Sequence, residues 1–325
     1  MDYKPPFVFR SGYWNTIYPT YFREVEGIDY RREKIDTPDG DFLILDWSTV
    51  SSSDWLVIVS HGLEGKTDRA YVKGMVKAFN LENINALAWN FRGCGGETNK
   101  KPQMYHSCKI EDLECVIKHA VKKGFSNIVL IGFSMGGNLS LYYAGKKGEE
   151  ILPEVKGVIA FSVPLDIRDT SETLAKPVNK IFMKRFLKML REKIEEKEKL
   201  FPDVVSLEGY EKIKNFKDFD DRYTAPLHGF RDAYHYWETC SSKQYLEDIK
   251  VPTLIVNAKD DPFLGKNCYP EKVTNPNITL EYPKYGGHVG FVLKRDDGLY
   301  WSELRAVQFF KEKISLKGES NEKQV

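Results

Sequence analysis

Short apolar runs alternate with longer amphipathic ones along most of this chain. Trp55-Leu-Val-Ile-Val59, Asn85-Ala-Leu-Ala-Trp89, Ile128-Val-Leu-Ile131, Val155–Ala160, Val251-Pro-Thr-Leu-Ile-Val256 and Ile278–Tyr282 are short and largely unbroken by polar residues. Runs of this kind predict strands buried on both faces, as in a parallel sheet covered by helices. Between them, Asp68–Asn80, Ile110–Lys123 and the stretch opening Asn138-Leu-Ser-Leu-Tyr-Tyr-Ala carry helical spacing, and a closing helix is expected from about Leu299 to Lys311. Tyr30–Asp36 and Phe42–Trp47 flank Thr37-Pro-Asp-Gly-Asp41, a turn signature, and predict a hairpin. The class is α/β, with a mostly parallel central sheet and helices on both faces.

The alternation fails in two places. From Phe161 to Lys250 no strand-like run appears, so 161–250 is expected to be a helical cap inserted into a core of 28–160 and 251–325. In that insertion Ile181–Leu190 has apolar residues at helical spacing, and Arg191–Lys199 continues it until Pro202 stops it. Its Lys/Glu run reads as a solvated face. Phe216, Phe219, Phe230, Tyr234, Tyr236 and Trp237 are read mainly as packing of the cap on the body, with one or two lining an acyl pocket. Residues 1–27, rich in aromatics and prolines, show neither period. They are expected to form an arm packed on the core, because so many loose aromatics would expose much apolar area.

Composition narrows the partners. Forty-eight basic residues against forty-seven acidic ones leave a net charge of +1 over 325 residues, which speaks against nucleic acid and for a small molecule. The cationic stretch Lys176–Lys193 allows peripheral contact with a membrane surface as an accessory property. Cys94, Cys108, Cys115, Cys240 and Cys268 are odd in number and lack C-x-x-C spacing. That predicts free thiols in a reducing compartment, with no disulfide framework and no zinc site. The opening Met1-Asp-Tyr-Lys-Pro-Pro is unlike a secretory leader, and no stretch reaches the ~18 apolar residues of a membrane span. A cytoplasmic protein without a transmembrane segment is expected, and its oligomeric state is left open.

Chemistry is concentrated where strands end. The run through Ile131 enters Gly132-Phe-Ser-Met-Gly-Gly137, a G-x-S-x-G sequence between a predicted strand and a predicted helix. Such a nucleophile elbow holds its serine, here Ser134, at the top of the sheet. His61-Gly-Leu-Glu-Gly65 follows the third strand, where this architecture takes one oxyanion amide from the loop and the other from the residue after the nucleophile. By position these are Leu63 and Met135, with Gly62 allowing close backbone approach. His61 itself reads as structural, since the base comes last in chain order. Asn90-Phe-Arg-Gly-Cys-Gly-Gly96 lacks the Lys-Ser/Thr of a phosphate loop. An acidic loop, Asn257-Ala-Lys-Asp-Asp-Pro-Phe263, and then Gly286-Gly-His-Val-Gly-Phe291 end the last two strands, giving the order Ser134, Asp260 or Asp261, His288. Ala258 stands where a strand-end glycine is usual, which favours Asp261 as the acid, with Asp260 the runner-up.

Pro38-Asp-Gly-Asp41, Leu45-Asp-Trp47, His61–Gly65, Phe91–Gly96, Gly132–Asn138, Asn257–Phe263 and Gly286–Phe291 together resemble the YheT-like α/β-hydrolases. That family includes yeast medium-chain ethyl-ester synthase/esterases and animal membrane lipases. The resemblance implies a serine hydrolase that cleaves acyl esters with Ser134, one of the two aspartates and His288, and with neither cofactor nor metal. An acyltransferase built on the same residues, or a ligand-binding protein that keeps the fold without catalysis, are the alternatives. His106-Ser-Cys-Lys-Ile110 departs from the family's H-S-G-x-T, which bears on pocket shape, and the N-terminal anchor of the animal members is not expected here.

Overall fold

The apolar runs assemble into one sheet. The computed structural model describes residues 1–315, so the last stretch of the core assignment, 316–325, lies outside the described residues. The strands are β1 (Arg31–Asp36), β2 (Phe42–Ser48), β3 (Trp55–Ser60), β4 (Asn85–Asn90), β5 (Asn127–Phe133), β6 (Val155–Phe161), β7 (Thr253–Val256) and β8 (Ile278–Glu281). Their order is β1-β2-β4-β3-β5-β6-β7-β8. β2 pairs antiparallel with β1 and β4, and every other pairing is parallel. Leu56–Val59 and Ile128–Ile131 are fully buried, which is why these strands carry no polar alternation. β1, at the edge, is polar and buries only Ile35.

The helices are α1 (Gly12–Phe22), α2 (Ala70–Asn80), α3 (Ile110–Lys122), α4 (Met135–Lys147), α5 (Ile167–Leu174), α6 (Lys180–Leu200), α7 (Phe216–Phe219), α8 (Ala225–His228), α9 (Ala233–Cys240) and α10 (Trp301–Phe309). One sheet face packs on α3 and α4 through Leu113, Val116, Ile117 and Leu139. The other packs on α2 and α10 through Met75, Phe79, Trp301 and Phe309. A third apolar cluster, with Leu187, Ile194, Phe219 and Trp237 among its members, binds the helices between β6 and β7 to one another and to Met104, Tyr142 and Phe263 of the core.

Three expectations need correction. The aperiodic arm contains a helix, α1, whose buried residues are Gly12, Asn15 and Thr16. Its inward face is small and polar, so no apolar period marks it, and several of its aromatics remain outside. The Lys/Glu run of α6 is not simply a solvated face. Lys193 and Lys197 are buried, and their ammonium groups donate to Gly93 O (2.8 Å) and to Asn99 Oδ1 (2.7 Å), fastening the helix to the glycine-rich turn after β4 and to the segment that follows it. Finally, not all cysteines are free: Cys108 and Cys240, 132 residues apart, are joined, while Cys94, Cys115 and Cys268 remain thiols. The reducing-compartment reading loses the footing that five free thiols would have provided. No helix among the described residues is long and apolar enough to cross a membrane.

Candidate active site

Glycine is required at the elbow by backbone crowding. A Cβ on Gly132 would lie 2.3 Å from Gly136 O, and one on Gly136 would lie 2.4 Å from both Ser60 O and His61 O. With these contacts closed, Ser134 takes φ 53° and ψ −120°, and α4 starts immediately after it. A non-glycine residue at positive φ stores strain. The others include Glu64, Ser162, Val289 and Phe291, all in loops that follow β3, β6 and β8 at the same edge of the sheet.

His288 reaches Ser134 across 154 residues of chain: its Nε2 lies 3.0 Å from Ser134 Oγ, and its Nδ1 lies 2.9 Å from Asp261 Oδ2. Asp261 is held in turn by Phe263 N, which donates to Oδ1 at 2.9 Å. Asp260 points elsewhere, accepting from Gly287 N (2.9 Å). Burial first, and then the neighbouring Asp261 charge, push Asp260 up to about 6. Of the two candidate acids, Asp261 is the one in contact with the imidazole.

Sequence reasoning missed what holds the histidine loop. Thr16 Oγ1 of α1 accepts from His288 N (2.8 Å), Ser162 Oγ accepts from Val289 N (2.9 Å) and Asn15 Oδ1 accepts from Val292 N (3.0 Å). The arm lies so close that a Cβ on Gly287 would meet Gly12 O at 2.4 Å, and one on Gly290 would meet Asn15 O at 2.1 Å. The glycines around His288 were the available signal, but they did not say which segment approaches them.

Across the cleft, Gly62 N donates to Tyr71 Oη (3.0 Å) and Glu64 N to Tyr105 Oη (3.1 Å). Between them the Leu63 amide takes no partner among the described residues, and neither does the Met135 amide at the start of α4. A Cβ on Gly62 would stand 3.2 Å from Ser134 Cβ, in the space beside the hydroxyl. His61 is fully buried, with Nδ1 2.7 Å from Gly62 O and Nε2 accepting from Phe91 N at 3.1 Å. Burial pulls its pKa down to about 3, so it stays neutral with both nitrogens occupied.

Two openings meet at Ser134 and His288. One is a cavity beneath the inserted helices, lined by Leu63, Met104, Ile167, Leu174, Phe216 and Phe219 among others. Of the six cap aromatics singled out from the sequence, Phe216, Phe219 and Tyr236 line it, one more than expected. Its charged groups are paired or shifted towards the neutral form: Lys193 lies 3.5 Å from Glu64, whose pKa burial raises, and burial pushes Asp220 up to about 7. His106 and Ser107, the departure from the family pattern, also face this cavity. The second opening is a groove between α1 and α6, lined by Ile17, Tyr21, Ile181, Phe182 and Arg185 among others. The grouping of possible metal donors among the described residues is His106, Cys108 and Cys240, within 4.8 Å of one another, but the two sulfurs are bonded together and so are not free thiolates.

Comparison with known proteins agrees with this architecture. The family model described as serine aminopeptidase, S33, matches residues 51–267. An Escherichia coli (strain K12) protein named as an esterase, YheT, is 29% identical over 291 residues, spanning 87% of this chain and 85% of that protein. Human phospholipase ABHD3 is 30% identical over 294 residues, 87% of this chain and 71% of its own length. Among solved structures, an esterase of Pyrococcus furiosus shares the fold with a TM-score of 0.58 at 20% identity, covering 90% of this chain and 96% of that one.

Proposed function

Because the chain belongs to the serine aminopeptidase S33 family of α/β-hydrolases, we propose that it is a serine esterase acting on carboxylic esters of uncharged, medium-length acyl chains. The observation that carries this reading is the continuous contact from Ser134 Oγ to His288 Nε2 (3.0 Å) and from His288 Nδ1 to Asp261 (2.9 Å). Ser134 Oγ attacks the ester carbonyl while His288 Nε2 takes its proton; Asp261 holds the Nδ1–H tautomer and stabilises the imidazolium. The Leu63 and Met135 amides receive the oxyanion, each contributing about 3 kcal/mol in sites of this type. Collapse of the intermediate expels the alcohol, which leaves with the proton from His288, and water then repeats the sequence on the acyl-enzyme. An alcohol in place of that water gives acyl transfer by the same groups.

We divide the labour between two segments. The core, 28–160 and 251–325, supplies the reacting groups, and the cap, 161–250, supplies most of the cavity wall. The apolar lining and the pairing of Lys193 with Glu64 support an uncharged acyl chain as occupant. Ser134→Ala tests the assignment: turnover of p-nitrophenyl butyrate should fall by about 10⁵ or more, and labelling by a fluorophosphonate should vanish. Retained turnover would remove Ser134 from the mechanism. Wild-type protein that binds ester analogues yet resists the fluorophosphonate would indicate a ligand-binding protein instead.

A further inference from the structure

The mouth of the groove between α1 and α6 carries a surface that hydrolysis does not explain. On α1, Trp14, Tyr21 and Phe22 are 56%, 64% and 64% exposed, and at the start of α6 Ile181 is 79% exposed. Tyr21, Ile181 and Arg185 line the groove together: the Arg185 guanidinium lies 5.3 Å from the Tyr21 ring, and Tyr13 stacks on Phe182 at 6.1 Å. Single exposed apolar residues are ordinary, whereas a cluster at the rim of a cleft marks an interaction site.

Charge identifies the partner. Lys176, Lys180, Lys184, Arg185, Lys188 and Arg191 fall within one 16-residue stretch that holds no acidic residue, in a chain whose net charge is only +1. Among the described residues, only Arg191 of these has a carboxylate partner, Glu195. The four lysines are exposed, and Lys180, Lys184 and Lys188 line a hollow on the flank of α6 next to the residues that wall the groove. Aromatic and aliphatic tips beside long, unpaired cationic side chains suit a negatively charged lipid layer, where the apolar groups enter the acyl boundary and the ammonium groups stay among the headgroups. The groove opens through this face onto Ser134 and His288.

We propose that α1 and the first half of α6 form a docking surface for an anionic lipid layer, and that ester substrate enters the groove from that layer. The docking itself is independent of the esterase reading; the entry route rests on it. Full-length protein is to be co-sedimented with vesicles of phosphatidylcholine containing phosphatidylglycerol and with vesicles of phosphatidylcholine alone. Wild type is expected to bind the anionic vesicles preferentially and to be released by salt. The combined change Lys180→Gln, Lys184→Gln, Lys188→Gln should weaken that binding about a hundredfold, with hydrolysis of a short soluble ester unchanged. Trp14→Ser with Ile181→Ser should weaken it as well. Ser134→Ala should bind as wild type does, so a failure of the nucleophile assignment leaves this result readable. The proposal is overturned by wild type remaining in the supernatant at low salt, by equal binding to both vesicle types, by unchanged binding of the triple variant, or by lipid-free self-association that buries Trp14.

Discussion

The two walls of the Ser134 cavity are made in different ways. On the core side, position is set by backbone. Gly12, Gly132, Gly136, Gly287 and Gly290 bring main chains into contact, and the amides of Gly287, His288 and Val289 each have an assigned acceptor. On the cap side, position is set by side chains from short helices, with Phe216, Phe219, Tyr236 and the buried Asp220 all lining the cavity. A wall built from backbone leaves no freedom for small adjustments, whereas a wall of aromatic side chains can change shape while the fold persists. Changes in the core should therefore act on turnover, and changes in the cap on substrate range.

The largest effect beyond the proposed nucleophile belongs to the core. Asp261→Asn presents an amide to Nδ1 and stabilises the wrong tautomer, so turnover should fall by about 10⁴, while Asp260→Asn should cost about tenfold or less. Steady-state kinetics of the pair decide it, and the opposite ranking would transfer the role to Asp260.

An intermediate effect is expected from the cap. Each buried methylene contributes about 0.8 kcal/mol, so kcat/KM along a p-nitrophenyl series should climb several hundredfold above acetate and peak at about C4 to C10. Phe216→Leu should flatten that climb about tenfold and leave acetate nearly unchanged. A maximum already at acetate would mean that the cap aromatics serve packing alone, and the contrast between the walls would lose its functional half.

The smallest effect is on stability. Asp220 accepts from Thr224 Oγ1 (2.6 Å) and Trp237 Nε1 (2.7 Å), next to Asp221, and burial pushes it up to about 7. The unfolded carboxyl titrates near 3.9, so between about pH 4 and pH 7 the native protein holds the extra proton. Its contribution is fully present below that range and is lost as pH rises through it. Relative to Asp220→Asn, the wild-type melting temperature should drop by about 2 to 5 °C from pH 4 to pH 7. A difference that stays flat or rises would show the carboxyl to be ionised in the fold.

What could be read from the chain follows from how far each feature reaches. Unbroken apolar runs such as Ile128–Ile131 mark strands because burial on both faces is a property of the segment itself. The Gly132–Gly137 elbow is likewise legible, since Gly132 is crowded by Gly136 and Gly137 within the same six residues, although what crowds Gly136 is the remote end of β3. Ser134 and His288 could be singled out in this way, because each sits in its own glycine-marked loop. Contacts that depend on two distant segments had no such signature. Thr16 meets His288 over 272 residues, Lys197 meets Asn99 over 98, and Cys108 meets Cys240 over 132. For the adjacent aspartates the register of Ala258 favoured Asp261, and the contact itself follows from the direction in which the loop after β7 leaves the sheet, which turns Asp261 rather than Asp260 towards the imidazole. Local chain chemistry determined the strands, the elbow and the kind of reaction to expect. Tertiary closure decided which carboxylate touches the imidazole, which helix braces it and which aromatics face outwards, because those are properties of surfaces that exist only once remote segments pack together.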